Sequence, residues 1–130
     1  MPDIHVETTA ETGYDTRSTI DDHEVDIDAG GPSAPSPVEM LVTAYTSCFL
    51  ASFRAAAKRN GVRDPGRIDV DADAWRDDDD RLDAISFTVS VEAELDDAAG
   101  VVDDAREECH VDASLKQSVQ AEVTVEDDAF

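Results

Sequence analysis

Between Ser36 and Gly61 the chain reads SPVEMLVTAYTSCFLASFRAAAKRNG, and from Met40 to Phe53 no residue carries a charge. Charged residues make up 32% of the whole sequence, so this bare run is the feature that most limits the fold. Ser36 suits an N-cap, Pro37 the first helical position and Glu39 the third. Together they form an S-x-x-E capping box, with proline where its missing N–H costs nothing. Towards the other end Arg54, Lys58 and Arg59 approach the negative pole of the helix dipole, and Gly61 fits the left-handed C′ position. The signals predict one helix of about six turns. Its first four turns are apolar or small on every side, and a helix of that kind needs cover all round. One sheet cannot supply it. Burying it fully within one chain, as an ordinary core helix, would be difficult in so small a domain.

At 130 residues the sequence fits a single domain, 1–130. Its 32 acidic residues against 10 basic ones give a formal charge of -22. The acids are spread along the chain and interleaved with apolar residues, which argues against an acidic disordered tail and for a solvated coat suited to high salt. Nucleic acid is excluded as a partner, because phosphate backbones call for clustered Lys and Arg. The start, MPDIHVETTAET, has neither the basic residues nor the apolar core of an export signal, and no segment has the ~18 consecutive apolar residues of a membrane span. A cytoplasmic protein without membrane contacts is the expectation. In a reducing cytosol Cys48 and Cys109 are inert packing residues or a redox pair, not a permanent staple.

Alternation predicts further strands. IHVET, residues 4 to 8, is one, and TRSTIDDHEVDID, Thr16 to Asp28, reads as two strands around an Asp21–Asp22 turn. AGGPSAPSP, Ala29 to Pro37, is a loop that delivers the chain to the helix. Ile68–Trp75 and Ala84–Leu95 form a hairpin across RDDDDR, with Ile68, Val70, Ala72 and Ile85, Phe87, Val89, Val91 on one face each. Val101, Val102, Ala105 and Cys109 repeat at helical spacing from about Asp97. A short helical turn through VDASLKQ and a last strand, Val119 to Val125, complete the chain.

This order, with PSPVEMLVTAYTSCFLASFRAAAKRNGV in the centre and ECHVDASL ending the second helix, resembles the OsmC/Ohr family, named for osmotically inducible protein C and organic hydroperoxide resistance. The resemblance covers nearly the whole chain. Its strongest element is a cysteine about ten residues into the central helix paired with another about sixty residues later. It implies an α+β fold with antiparallel sheets packed around a long central helix, in an intertwined homodimer with active sites at the subunit interface. The partner chain would then cover the bare helix.

It also implies chemistry. In peroxidases of the family the first cysteine attacks the O–O bond as a thiolate and becomes a sulfenic acid. The second condenses with it to a disulfide, and a dithiol such as a lipoyl group restores both. By position these roles fall to Cys48 and Cys109, with Tyr45, Phe49 and Phe53 as candidates to line an apolar channel for the alkyl group. Hydroperoxide reductases of the family carry a glutamate directly after the helix-start proline, paired with an arginine that stabilises the thiolate. Here that position is Val38. Glu39 lies one residue on, about 100° around the helix, where the capping box is an equal claim on it. Arg17, the only basic residue before Arg54, is the candidate arginine, or a surface residue balancing Asp15 or Asp21. His110, where the family often has proline, either tunes Cys109 or caps helix carbonyls.

His5, His23 and His110 are far apart, and the cysteines lack C-x-x-C spacing, so neither a metal nor any cofactor is expected. The leading expectation is a thiol-dependent peroxidase reducing organic hydroperoxides with a dithiol reductant, in the setting of oxidative stress. The alternative is a non-catalytic relative that binds a small apolar ligand at the dimer cleft, its cysteines being packing residues.

Overall fold

The computed structural model describes residues 1–130, which divide into two compact units, Met1–Leu41 and Val42–Phe130. The first carries a sheet of β1 (Glu7–Thr9), β2 (Asp15–Ile20) and β3 (His23–Asp28), in that order and antiparallel throughout. Ile20 pairs with His23 across the Asp21–Asp22 turn, and Asp21 takes φ 52°, a left-handed conformation that Asp tolerates better than most residues. β1 is shorter than the alternation of residues 4 to 8 predicts. Glu7 pairs with Thr19, so the residues before Val6 fall opposite the turn and have no strand to bond. Buried Asp28 ties down the following loop: its carboxylate accepts from Gly30 N–H (3.1 Å), Ser33 N–H (3.3 Å) and Ser33 Oγ (2.7 Å).

The bare run is α1, Pro37–Arg59. Its capping box is formed as predicted: Glu39 N–H donates to Ser36 Oγ at 3.2 Å, and Ser36 N–H to Glu39 Oε1 at 2.9 Å. Gly61, at φ 90°, closes the helix in a Schellman arrangement, with Gly61 N–H on Lys58 O (3.2 Å) and Val62 N–H on Ala57 O (3.0 Å).

The second unit pairs β4 (Ile68–Arg76) with β5 (Leu82–Val91) as the predicted hairpin, and β6 (Glu122–Glu126) lies on the other side of β5. Here the expectation of antiparallel sheets needs correction, because β6 runs parallel to β5. The physical reason is the connection. Residues 92–121 cross over through α2 (Ala98–Glu108), α3 (His110–Ser114) and a 3-10 turn (Gln117–Val119), and a helical crossover returns the chain in the same direction. β5 also stops at Val91, short of Leu95. Beyond it the backbone leaves the ladder, Ala93 N–H bonding Pro65 O (3.1 Å) and Leu95 N–H the Asp127 carboxylate (2.8 Å).

The core of this unit joins Tyr45, Phe49, Phe53, Ala56 and Ala57 of α1 to Ile85, Phe87, Val89 and Val91 of β5 and to Val101 and Ala105 of α2. Phe87 packs edge-on to Tyr45 (centroids 4.7 Å apart) and tilted against Phe49 (5.4 Å), contacts worth about 0.5–1.5 kcal/mol each beyond area burial. Tyr45, Phe49 and Phe53 are fully buried among these residues, so they form core and do not line a channel. On the rest of α1 the residues Leu41, Thr43, Ala44, Ser47, Ala51 and Ala55 stay exposed: within one chain the helix is covered on one side only. By length and composition α1 would also serve as a membrane span, a test that the core helix of a soluble protein passes equally.

Candidate active site

Cys48 follows Tyr45 by one turn of α1, so the two side chains share a side of the helix, Tyr45 buried and Cys48 half-buried. Cys109 is the junction between α2 and α3. Its backbone turns extended (φ -78°, ψ 101°), ending one helix, and its Sγ caps the next by accepting Asp112 N–H at 3.4 Å. The two free thiols, 61 positions apart in sequence, are brought close enough for each to alter the acidity of the other.

The surroundings separate their acidities. Burial alone would push the Cys48 thiol up. Against it, the backbone N–H of Val111, the Cys109 thiol, the backbone N–H of His110 and the Ser52 hydroxyl are set towards the sulfur and hold Cys48 below the ordinary cysteine range. Ser52 also bonds the Cys48 carbonyl at 3.0 Å. Cys109 behaves in the opposite way. Burial pushes it up to about 11 despite the Asp112 N–H, and the hydrogen bond to Cys48 and the negative charges of Cys48 and Asp112 add to the rise. Cys48 is thus the more acidic of the two sulfurs and Cys109 the less acidic.

A polar network adjoins the pair. The Tyr45 hydroxyl donates to Asp112 Oδ1 and accepts from Ala121 N–H at 2.9 Å. Arg106 Nη1 donates to the same Asp112 oxygen at 3.1 Å, and its Nη2 to the Ala121 carbonyl. Burial and the Asp112 carboxylate raise Tyr45 well above the usual tyrosine range, although the Ala121 N–H acts the other way, so its phenol stays a donor. No buried side-chain polar atom lacks a hydrogen-bond partner. Sequence reasoning missed this network. An aspartate three residues after Cys109 and a lone tyrosine in an apolar run were visible signals, but nothing in the sequence set Arg106 apart from other arginines.

The remaining predicted residues have identifiable partners. In the first unit Arg17 grips Asp26 with two hydrogen bonds (2.8 and 3.2 Å) and has Glu24 at 3.8 Å. The sequence had offered Asp15 or Asp21, but Asp26 is the residue directly across the β2–β3 ladder. Glu39 has its role in the capping box. His110 is exposed and opens α3, so its contribution to Cys48 comes from the backbone and not from the imidazole. No three His, Cys, Asp or Glu side chains converge on a point where a metal ion could sit.

Comparison with known proteins agrees with this fold. A protein from Haloferax volcanii is 42% identical over 132 residues, covering 100% of both chains, a source consistent with a salt-adapted acidic surface. The fold matches an organic hydroperoxide resistance protein OsmC from Legionella pneumophila at TM-score 0.74, with 13% identity over 96% of this chain and 97% of that one. It matches the organic hydroperoxide resistance protein OhrB of Bacillus subtilis at 0.69, with 20% identity over 95% and 97%. The family model described as OsmC-like protein matches residues 30–124, the span that holds both cysteines and the helices presenting them, and the chain belongs to that family.

Proposed function

We propose that the protein is a thiol-dependent peroxidase that reduces organic hydroperoxides through Cys48 and Cys109. The observation that carries the reading is the paired sulfurs, one acidified by backbone N–H groups and the other protonated within reach of it. The names of the Legionella and Bacillus proteins, both of organic hydroperoxide resistance, support it.

In the first step the Cys48 thiolate attacks one peroxide oxygen. The S–O bond forms as the O–O bond breaks, and the departing alkoxide takes a proton to leave as an alcohol. Cys48 is then a sulfenic acid with no charge. That change removes two of the causes that keep Cys109 protonated, the hydrogen bond to a thiolate and its negative charge. Cys109 can now lose its proton, attack the Cys48 sulfur and expel hydroxide, which leaves as water. An external dithiol reduces the resulting disulfide and is itself oxidised. The arrangement keeps the resolving thiol inactive until there is something to resolve. Glu39 enters as a supporting residue, the anchor of the first turn of α1.

The same proposal has residues 1–130 acting as one OsmC-like domain in a cytoplasmic homodimer. The exposed side of α1, uncharged at Leu41, Thr43, Ala44, Ser47 and Ala51, is the surface a second copy would cover. Light scattering in high salt is expected to give a mass near twice 14.0 kDa. Ala44→Glu is expected to shift it to the monomer or abolish folding, since it would bury a charge at the helix contact. A monodisperse monomer in the unmutated protein contradicts the dimer.

The direct test of the chemistry is oxidation. One equivalent of an alkyl hydroperoxide is expected to join Cys48 to Cys109, a mass loss of about 2 Da that a dithiol reverses. Val38, standing where hydroperoxide reductases of the family have glutamate, favours the alternative of a non-catalytic protein with a small apolar ligand. If both thiols survive peroxide and none is consumed with dithiol present, that alternative becomes the better account.

A further inference from the structure

We infer that Tyr45, Arg106 and Asp112 form a brace that holds the start of α3 against Cys48, making them positioning residues for the reacting thiol. The inference rests on reading Cys48 as that thiol. α3 is only five residues long, too short to stay in place by its own hydrogen bonds, so its position depends on tethers from elsewhere. Asp112, 4% exposed, receives them from two other elements: the Tyr45 hydroxyl from α1 and the Arg106 guanidinium from α2. The segment leading into β6 adds a third, Gln120 Nε2 on the Asp112 carbonyl at 3.0 Å, and is itself fixed by Ala121 bonding both Tyr45 and Arg106.

The purpose of such bracing follows from what lies one and two residues earlier. The His110 and Val111 N–H groups set towards the Cys48 sulfur belong to the same first turn as Asp112. Tyr45 and Cys48 are one turn apart on α1, so α1 holds α3 at two adjacent points. A hydrogen bond to sulfur weakens steeply with misalignment, so slack in α3 translates into lost stabilisation of the thiolate. The groups around the sulfur are the Cys109 thiol, the Ser52 hydroxyl and these two N–H groups. Charged or titratable neighbours are Arg106, Asp112 and, lining the cavity beside Ser52, Glu107, Glu108 and His110.

Two substitutions separate positioning from simple charge. Asp112→Asn removes a negative charge, which by itself would lower the pKa of a nearby thiol. Arg106→Lys keeps the positive charge but loses the fork that grips Asp112 and Ala121 together. The probe is iodoacetamide, its rate on Cys48 in the reduced protein followed by peptide mass spectrometry from about pH 5 to 10, with far-UV circular dichroism on every sample. Both variants are expected to raise the pH midpoint of Cys48 alkylation by about one unit. They would react about tenfold more slowly than the unmutated protein below its midpoint and equally fast in alkali. A midpoint that stays or falls in either folded variant overturns the brace. If Asp112→Asn fails to fold, Arg106→Lys, at a side chain 30% exposed, decides alone.

Alkylation needs no peroxide, so the two readings fail separately. A protein that consumes no peroxide but whose midpoints shift sinks the peroxidase and leaves the brace. One that consumes peroxide with unmoved midpoints sinks the brace only.

Discussion

Cys48→Ser is expected to abolish hydroperoxide turnover, a loss of at least about a thousandfold, because a serine hydroxyl at neutral pH offers no comparable nucleophile for the O–O bond. Cys109→Ser is expected to behave differently. Its first turnover should proceed and leave a sulfenic acid on Cys48, trappable by a dienophile and over-oxidised by excess peroxide, since no second thiol remains in the chain to condense with it. In the unmutated protein the rate should rise with pH and level off once Cys48 is ionised. The midpoint should fall below that of an ordinary cysteine, the direction set by the N–H groups of Val111 and His110. Rates come from peroxide consumption coupled to dithiol oxidation, and adducts from peptide mass spectrometry. Turnover that survives Cys48→Ser would sink the mechanism.

Much of this was legible in the sequence because it is written locally. The Ser36–Glu39 capping box, the Gly61 stop and the hairpin across Asp77–Arg81 each rest on residues a few positions apart, and all three form as predicted. The cysteine pair was readable from a family resemblance, although its hydrogen bonding was not. What escaped depends on long-range closure. The parallel pairing of β6 follows from how the α2–α3 crossover returns the chain, and strand alternation is the same in either direction. The Tyr45–Asp112 bond spans 67 positions, and apolar periodicity records which side of a helix is buried without recording which polar group waits there. For the same reason Tyr45, Phe49 and Phe53 looked equally suited to a channel and to a core. Only Phe87 across from them decides for the core.

In low salt the protein is expected to lose its structure, since a charge of -22 on a 14.0 kDa chain leaves most carboxylates with no cation to answer them. The ion pairs formed by arginine side chains are few: Arg17 with Asp26 and Glu24, Arg59 with Glu108, Arg67 with Asp69 and Arg106 with Asp112. Most are exposed, and pairs of that kind contribute about 0–1 kcal/mol each. Against them stand runs such as Asp77 to Asp80 and, on β4, Asp69, Asp71 and Asp73 on alternate positions of one strand. At ~0.1 M salt the Debye length is about 10 Å, long enough for such neighbours to repel, whereas at ~1 M it is about 3 Å and the repulsion is confined to near contact. Far-UV circular dichroism should therefore show unfolding below a few tenths molar KCl and recovery of helix and strand near ~1 M. A spectrum unchanged down to dilute buffer would mean that the fold tolerates its own charge and that the acidic surface is no adaptation to salt. Peroxide turnover adds a second measure, because Cys48 meets Cys109 and Tyr45 meets Asp112 only when α2 and α3 have closed on α1. Activity and ellipticity are expected to return together as KCl is raised.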